Sequence, residues 1–570
     1  MTDIMSKYEL WCRCATEDAD LTAELQAISG QDAEIRDRFY QELSFGTAGL
    51  RGVIGAGDNR MNIYTVRKAT QGLANHLKAQ GQAAVAIAYD SRIKSDLFAK
   101  EAARVLAAAD ITVYLFPQLQ PTPVLSYAVR YYGCQAGIMV TASHNPAKYN
   151  GYKCYGSDGC QMTDNDANAV TACIRALDMF ADVQVADYEA AVADGHIRLV
   201  GQELLDSYYE QVLAQQVNPA VSARAGLSVI YTPLNGTGNV PVREILRRVG
   251  IQQVTVVPEQ ELPDGNFPTA PYPNPEIRQA FECALALAEK QPADLLLATD
   301  PDADRVGIAV RDGEAYTLMT GNQVGCLLLD YILACRTANG TLPQNPVTVK
   351  SLVTSNLATA IATKYGCEMR DLLTGFKYIG EQAGLLEQAG QAQRFVFGFE
   401  ESYGYLAGSY VRDKDAVVAS MLIVEMASYY HEQGLTLLQR MEQLYREHGY
   451  YCHSVVNVAF EGEQGMIAME QLMSGLRENP PAVLAGCKVL SVADYGRQLR
   501  TDCVTGQTAA IALPKSNVLS YALEGNAGLI IRPSGTEPKV KAYITAIGTD
   551  PAAAAAQETA LLAQAKELLK

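Results

Sequence analysis

The sequence has few cationic side chains for a chain of 570 residues. Lys and Arg number 46 against 63 Asp and Glu, which gives a formal net charge of −17. This excess of negative charge argues against nucleic acid or an anionic membrane surface as the main partner, because both would be repelled. Small anionic ligands remain possible, since a cleft can be locally basic on an acidic protein.

Long apolar runs are also missing. No run approaches the ~18 residues that a transmembrane helix needs, so we expect no membrane span. The opening MTDIMSKYELWCRCATEDAD has no apolar core behind basic residues, so no secretory signal peptide is expected. The 13 Cys show neither paired spacing nor a metal-binding pattern, which predicts reduced thiols and a cytoplasmic location.

A strand–helix pattern, in contrast, occurs three times along the chain. Because strands that alternate with helices of this length form βαβ crossovers, the pattern predicts an α/β fold class with mixed sheets. The predicted strands are 83–89, 111–116 and 137–141, then 227–231, 254–257 and 294–298, then 347–353, 367–373 and 395–397.

The segments around these units suggest four domains about one central cleft. We predict a helical N-terminal arm at about 4–43, a connecting helix near 201–216, and a smaller C-terminal α+β domain after Tyr450. The predicted domains are 1–205, 206–322, 323–445 and 446–570.

Polar clusters follow the last strand of each α/β unit: TASHNP at 141–146, TDPDADR at 299–305 and GFEESYG at 398–404. Parallel α/β sheets place their chemistry where strands end, so equivalent ends that face one crevice would form a single site. The pattern is typical of an enzyme.

Ser143 lies where a buried strand ends, and Asn-Pro then forces the chain out of regular structure. We expect an exposed loop serine that can act as a nucleophile; a capping serine in a turn is the simpler alternative. Lys153 follows in a Gly-rich return and could transfer a proton near Ser143 if its pKa is lowered. The alternative for Lys153 is a solvated side chain.

Asp300, Asp302 and Asp304 alternate along the chain, and on an extended segment they would point to one side. Three oxygen ligands without His or Cys suit Mg²⁺ or Mn²⁺ better than zinc. A calcium EF-hand is excluded, because Arg305 and Arg311 stand where that loop needs Gly and Glu. An acidic surface turn is the remaining alternative.

Two Gly-containing loops carry an arginine. The segment Arg532-Pro533-Ser534-Gly535-Thr536 follows a predicted strand and offers guanidinium, hydroxyl and backbone donors to a phosphate, although a plain turn is possible. The segment 46–52, with Arg51, lacks the strand–helix frame of a dinucleotide-binding loop, so a nicotinamide cofactor is not expected.

TASHNP, DPDADR, GFEES and RPSGTEP, in this order, resemble the motifs of the α-D-phosphohexomutase superfamily across about 40–550. FGTAGLRG and the Glu-Glu-Ser form of the third motif are most similar to its phosphoglucomutase branch, which includes phosphopentomutase-like members. The resemblance implies catalytic roles for Ser143 as phosphoryl carrier, His144 beside it, Lys153 as general acid/base and Arg51 facing the phosphoserine. It implies one Mg²⁺ held by Ser143, Asp300, Asp302 and Asp304.

The resemblance also implies that sugar phosphates are the partners and that substrate contacts come from the second, third and fourth domains. These contacts are Arg305, Thr374, Gly375, Lys377, Glu400, Ser402, Lys414, Arg532, Ser534, Gly535 and Thr536. The implied reaction interconverts glucose 1-phosphate and glucose 6-phosphate, with glucose 1,6-bisphosphate as intermediate and activator. A phosphopentomutase and a noncatalytic sugar-phosphate sensor are the alternatives, and no oligomeric state follows from the sequence.

Overall fold

The computed structural model of the chain describes residues 2–46, 49–81, 83–460, 462–533 and 539–570. Within those ranges, none of the helices combines the length and the apolarity needed to traverse a lipid bilayer. All 13 cysteines are free thiols.

Three helices precede the first sheet, and a six-stranded mixed sheet forms the first α/β domain, with strand order β1-β5-β4-β2-β3-β6. The elements are α1 (Thr2–Cys14), α2 (Ala19–Ala27), α3 (Asp32–Phe39), β1 (Gly49–Val53), α4 (Ile63–Gln80), β2 (Ala84–Tyr89), α5 (Ser95–Ala108), β3 (Thr112–Leu115), α6 (Thr122–Tyr131), β4 (Ala136–Val140), β5 (Tyr149–Gly156), α7 (Asp164–Arg175), α8 (Tyr188–Ala193) and β6 (Ile197–Leu199).

Two helices, α9 (Gln202–Leu213) and α10 (Val221–Arg224), lead to the second domain, whose sheet has the order β11-β10-β9-β7-β8. Its elements are β7 (Ser228–Thr232), α11 (Asn239–Arg248), β8 (Gln253–Val256), α12 (Pro258–Glu261), α13 (Glu282–Lys290), β9 (Leu295–Thr299), β10 (Val306–Asp312) and β11 (Ala315–Met319).

The third domain has a four-stranded sheet of order β13-β12-β14-β15. Its elements are α14 (Gly321–Ala338), β12 (Val347–Ser351), α15 (Leu357–Lys364), β13 (Glu368–Leu372), α16 (Phe376–Gln388), β14 (Phe395–Glu400), β15 (Gly404–Ala407), α17 (Ala416–His431) and α18 (Leu437–His448).

The fourth domain has an antiparallel sheet of order β16-β23-β22-β21-β18-β19-β20, with β17 paired on β18. Its elements are β16 (Tyr450–Ala459), α19 (Gly462–Glu478), β17 (Val483–Leu484), β18 (Cys487–Asp494), β19 (Leu499–Asp502), β20 (Thr508–Ala510), β21 (Leu519–Leu523), β22 (Gly528–Pro533), β23 (Lys539–Gly548) and α20 (Pro551–Leu568).

The same strand pairing occurs in all three α/β domains. In each domain a central strand (β2, β7 or β12) pairs in parallel with the two strands that follow it, and the second of these then pairs antiparallel with the next strand. All nine predicted strands are present, with ends that differ by at most three residues. The turns that leave β4, β9 and β14 therefore occupy equivalent places, and they carry the three predicted polar clusters.

One continuous cluster of buried apolar side chains runs through the three α/β domains, from Val124 in α6 through Leu297 in β9 to Val349 in β12. The fourth domain has a separate core that includes Leu529 and Ile544. Because burial of shared apolar surface stabilises the domain contacts, the first three domains hold their strand ends in fixed relation to one another.

Candidate active site

Ser143 follows β4 in a left-handed backbone conformation, with φ at 51°. Its amide donates to Thr141 Oγ1 at 2.8 Å, and its hydroxyl donates to Asp300 Oδ2 at 3.0 Å and lies 3.2 Å from His144 Nδ1. Only 4% of Ser143 is exposed, so the prediction of an exposed serine is wrong. The reason is that the turn directs the side chain inward, against the polar loop of the second domain.

Arg92, which was not among the predicted site residues, supports the loop at 143–149 through its backbone carbonyl groups. Its side chain is fully buried and donates to the backbone carbonyl oxygens of Ser143 and Asn145. The same guanidinium donates to the carbonyls of Pro146 and Tyr149, each at 3.1 Å. One rigid, permanently charged group thus fixes both ends of the loop.

Asp90 organises this support. It accepts hydrogen bonds from Thr141 Oγ1 at 2.6 Å, Ser95 Oγ at 2.8 Å and the Arg92 amide at 2.9 Å. The signal that could have found Asp90 and Arg92 is the Tyr-Asp-Ser-Arg segment at the end of β2, the strand that pairs directly with β4.

Asp300, Asp302 and Asp304 are all buried, and one ligand oxygen from each lies within 4.8 Å of the others. The segment is not extended, so that part of the prediction is wrong. Ala303 takes a left-handed conformation with φ at 47°, and its amide donates to Asp300 O at 2.9 Å. The resulting turn, rather than strand alternation, brings the carboxylates together.

One oxygen of each carboxylate is held by protein donors. Asp300 Oδ1 accepts the backbone amides of Asp304 at 3.1 Å and Arg305 at 2.9 Å. Asp302 Oδ2 accepts Lys153 Nζ at 2.9 Å, and Asp304 Oδ2 lies 3.1 Å from Lys414 Nζ.

The second oxygens of Asp302 and Asp304, both Oδ1, are buried and have no hydrogen-bond partner among the described residues, although Asp304 Oδ1 lies 3.8 Å from Arg305 Nε. Buried carboxylate oxygens are costly to leave unpaired. The cluster therefore fits a divalent cation that takes hard oxygen ligands.

A glycine allows a neighbouring turn to support the same loop. A Cβ on Gly236 would lie 2.5 Å from Pro301 Cα, and the Thr237 amide donates to Pro301 O at 2.8 Å. The Asn-Gly-Thr-Gly segment that contains them is a signal the sequence analysis did not use.

The charges of the cluster shift several pKa values. Burial, together with Asp302 and Asp304, raises the pKa of Asp300. Burial alone would raise the pKa of Asp302, but the charge and hydrogen bond of Lys153 outweigh it and lower that pKa. Burial, with Arg305 second, lowers the pKa of His144, so this imidazole is neutral at pH 7.

Lys153, on β5, is protonated at neutral pH. Burial would lower its pKa, but the charges of Asp302 and Asp304 outweigh burial and raise it. The pKa of Lys153 is thus raised rather than lowered, so the residue carries a proton that it can donate and does not begin as a base. Arg51 lies on β1 opposite Gly151, and its charge reaches His144.

Two further cations surround the carboxylates. Arg305 forms an ion pair with Glu276, which sequence reasoning missed because it lies in an irregular segment of the second domain. Lys414 Nζ contacts Asp413 Oδ1 at 3.2 Å in addition to Asp304. The pKa of Lys414 is raised because these two carboxylates outweigh its burial.

The third domain contributes its polar cluster at the end of β14. Glu400 Oε1 accepts the Gly375 amide at 2.8 Å, which joins two of the predicted sugar-binding segments. Burial raises the pKa of Glu400 although Lys414 opposes this. Lys377 instead donates to Asp164 Oδ1 at 2.6 Å, so its ammonium ties the third domain to α7 of the first.

A cavity of about 760 Å³ opens beside the carboxylates and has walls from all four domains. Of the predicted residues it is lined by His144, Arg305, Thr374, Ser402 and Arg532. Ser534, Gly535 and Thr536 lie outside the described residues. A larger crevice of about 1120 Å³ lies between the first two domains, and none of the predicted site residues that the structure describes lines it.

Family models and curated relatives agree with this architecture. The three alpha/beta/alpha domain models of the phosphoglucomutase/phosphomannomutase family match residues 42–180, 206–313 and 320–448. A phosphoglucomutase of Staphylococcus aureus (strain MSSA476) is 38% identical over 517 residues, which is 90% of this chain and 91% of the relative. A phosphoglucomutase of Staphylococcus saprophyticus is 38% identical over 511 residues, 89% of this chain and 91% of the relative.

Solved structures share the fold. A phosphoglucomutase/phosphomannomutase family protein from Burkholderia thailandensis superimposes with a TM-score of 0.66 at 18% identity, covering 92% of this chain and 97% of its own. The open form of pp63/parafusin from Paramecium gives a TM-score of 0.68 at 16% identity, covering 93% and 95%. The chain belongs to the phosphoglucomutase/phosphomannomutase family.

Proposed function

We propose that the chain is a phosphoglucomutase, an isomerase that interconverts glucose 1-phosphate and glucose 6-phosphate. The observation that carries this proposal is the position of Ser143, whose hydroxyl lies 3.0 Å from Asp300 within a buried cluster of carboxylates. The likeness to staphylococcal phosphoglucomutases supports glucose phosphates as substrates.

Ser143, Asp300, Asp302 and Asp304 would hold one Mg²⁺. Bound there, the ion would neutralise charge on the phosphoryl oxygens during transfer. Two buried oxygens, on Asp302 and Asp304, that have no hydrogen-bond partner among the described residues support this assignment.

The reaction begins with a phosphoryl group on Ser143. The 6-hydroxyl of glucose 1-phosphate attacks phosphorus, the bond between phosphorus and Ser143 Oγ breaks, and the protonated Lys153 supplies the proton that Oγ needs. The proton that the sugar hydroxyl loses passes to the amine of Lys153, which regains its charge, so protons and total charge are conserved in the step. His144 and Arg51 lie on the serine side and would steady the loop and the phosphoryl oxygens.

The glucose 1,6-bisphosphate so formed then reorients within the site, and its 1-phosphate passes to Ser143. Glu400 and Ser402 would bind ring hydroxyls in either orientation, while Arg532 with Ser534, Gly535 and Thr536 would hold the phosphate that is not reacting. The remaining substrate contacts would come from Arg305, Thr374, Gly375, Lys377 and Lys414.

Added glucose 1,6-bisphosphate would activate the enzyme by rephosphorylating Ser143 when the group has been lost. The substrates are small sugar phosphates, and the free thiols support a cytoplasmic location.

The test is a coupled assay with Mg²⁺ and bisphosphate that compares kcat/KM for glucose 1-phosphate and ribose 1-phosphate, beside mapping of phosphate to Ser143. A higher value for glucose 1-phosphate is expected. A higher value for ribose 1-phosphate would make the protein a phosphopentomutase. Absence of turnover with both, in protein that binds sugar phosphates, would make it a sensor.

A further inference from the structure

Thr122 joins the first domain to the carboxylate loop of the second. It is the first residue of α6 and is fully buried. Its hydroxyl donates to Asp302 Oδ2 at 2.8 Å, and its amide donates to the Asp302 backbone oxygen at 2.9 Å. Both the main chain and the side chain of Asp302 are therefore fixed by a single residue of the neighbouring domain.

The Thr122 hydroxyl does not cap the start of its own helix. Pro121 is the N-cap residue of α6, and within the described part of the chain no side chain forms a capping hydrogen bond at that end. A threonine near a helix start commonly bonds to nearby backbone groups. Here its hydroxyl instead bonds across the domain boundary to a carboxylate.

The bond determines which oxygen of Asp302 remains available. Oδ2 is occupied by Thr122 and by Lys153, whereas Oδ1 is buried without a partner among the described residues. A carboxylate rotates about its last side-chain bond, so a donor fixed on one oxygen also orients the other. Lys153 alone cannot do this, because its flexible ammonium also lies 3.6 Å from Asp304 Oδ2.

We infer that Thr122 is a positioning residue of the metal centre. Its hydroxyl holds Asp302 so that Oδ1 faces the cation, and it keeps the carboxylate loop at a set distance from Ser143, which belongs to the same domain as Thr122. The inference rests on the proposed function for the presence of a divalent ion, but it does not depend on which sugar phosphate the protein uses.

The test measures Mn²⁺ affinity by electron paramagnetic resonance on the full chain, stripped of metal and free of sugar phosphate. Thr122→Val removes the hydroxyl with little change in shape and keeps the backbone bond, whereas Thr122→Ser keeps the hydroxyl. Intact mass ensures that all samples carry the same amount of phosphate on Ser143. We expect Thr122→Val to weaken Mn²⁺ binding ~10- to 100-fold, the usual effect of removing a hydrogen-bond donor from a metal-binding carboxylate, and Thr122→Ser to stay near the parent value.

Thr359→Val is the matched control, because Thr359 lies in the first turn of α15 and its hydroxyl has no partner among the described residues. It should bind Mn²⁺ as the parent does. If Thr122→Val does not fold, as judged by circular dichroism, Thr122→Ala carries the same expectation.

Unchanged Mn²⁺ affinity in a folded Thr122→Val protein would overturn the inference, as would equal weakening in Thr122→Ser. Failure of both the Val and the Ala variants to fold would also overturn it, since the hydroxyl would then support the domain contact itself. A parent protein that binds Mn²⁺ but lacks mutase turnover would contradict the proposed function and leave this test intact.

Discussion

Lys153 Nζ lies 2.9 Å from Asp302 Oδ2, although the two residues belong to different α/β domains. Removing either partner would leave the other buried charge with weaker compensation, from Asp304 for Lys153 or from Thr122 for Asp302, which is destabilising. The candidate site thus depends on the docking of the first two domains, and changes at its centre should be read together with a measurement of folding.

Ser143→Ala should abolish mutase turnover and leave the thermal unfolding midpoint close to that of the parent. The variant loses the phosphoryl carrier, but among the described contacts its side chain gives up only the hydroxyl bonds to Asp300 and His144. Steady-state assay and differential scanning calorimetry provide the comparison. Ser157→Ala, at an exposed turn of the same domain, is the control and should retain full activity. Parent-like turnover in Ser143→Ala would remove the basis of the proposed mechanism.

Asp302→Asn should leave phosphate on Ser143 and lower kcat by at least ~10²-fold, the order expected when charge stabilisation at the transferring oxygens is lost. Phosphopeptide mapping and initial rates measure the two effects. Asp312→Asn, an exposed carboxylate at the end of β10, should have no effect. EDTA should inactivate the parent and added Mg²⁺ should restore it; activity that resists EDTA would argue against a metal role.

Arg532→Ala should weaken binding of sugar monophosphate by ~1.5–3 kcal/mol, the value of a charge-assisted hydrogen bond, and so raise KM roughly ten- to a hundredfold. Arg532 lines the 760 Å³ cavity from the fourth domain, whereas the carboxylates and Ser143 lie on the first two. Ser143 should therefore still accept phosphate from the bisphosphate. Arg497→Ala, an exposed side chain of the same domain, should keep the parent KM.

The same variant should release more glucose 1,6-bisphosphate per product formed, because the lost contact must re-form after the sugar turns. Isotope-labelled turnover counts the released intermediate. If Arg532→Ala shows the parent's KM and the parent's rate of release, Arg532 has a structural role only.

The stability of the protein should fall in mild acid because of His453, on β16, which takes up a proton more readily in the unfolded chain than in the folded one. Its Nε2 is buried without a partner among the described residues, and burial lowers its pKa to about 4, with a contribution from Lys350. The unfolded chain binds the proton near pH ~6.5. Stability from the neutral ring is therefore present above ~6.5 and is lost as the pH falls toward about 4.

Thermal unfolding midpoints of parent and His453→Gln, taken across this pH range, measure the effect. The parent midpoint should fall more steeply with acid than that of the variant. His431→Gln, at an exposed position, controls for the loss of a histidine. Equal slopes in parent and His453→Gln would mean that protonation of His453 is not linked to unfolding.

The sequence predicted the elements of the three α/β domains well, because each domain has short apolar strands with clear turn signals and helices of ordinary length between them. The burial of every residue in β4, β9 and β14 explains why these strands read as continuous apolar runs. Equivalent placement of the serine, carboxylate and Glu400 segments followed from the repeat alone.

Contacts across domain boundaries could not be predicted in this way. Thr122 looks like an ordinary residue at a helix start, and Glu276 lies in an irregular segment. Their roles become visible only from their contacts with Asp302 and Arg305, respectively. Arg92 reads as a surface arginine after a strand, yet it is 2% exposed. A single sequence does not show which distant residues contact each other, so the roles of such side chains cannot be predicted from it.

The left-handed backbone at Ser143 creates a conflict between catalytic activity and thermal stability. A residue with a Cβ held at a φ of 51° carries a steric cost of about 1 kcal/mol that glycine avoids. A laboratory selection for heat resistance alone would therefore favour glycine at this position and produce a sturdier protein with no phosphoryl carrier. Directed evolution of a robust form should thus screen for turnover from the first round.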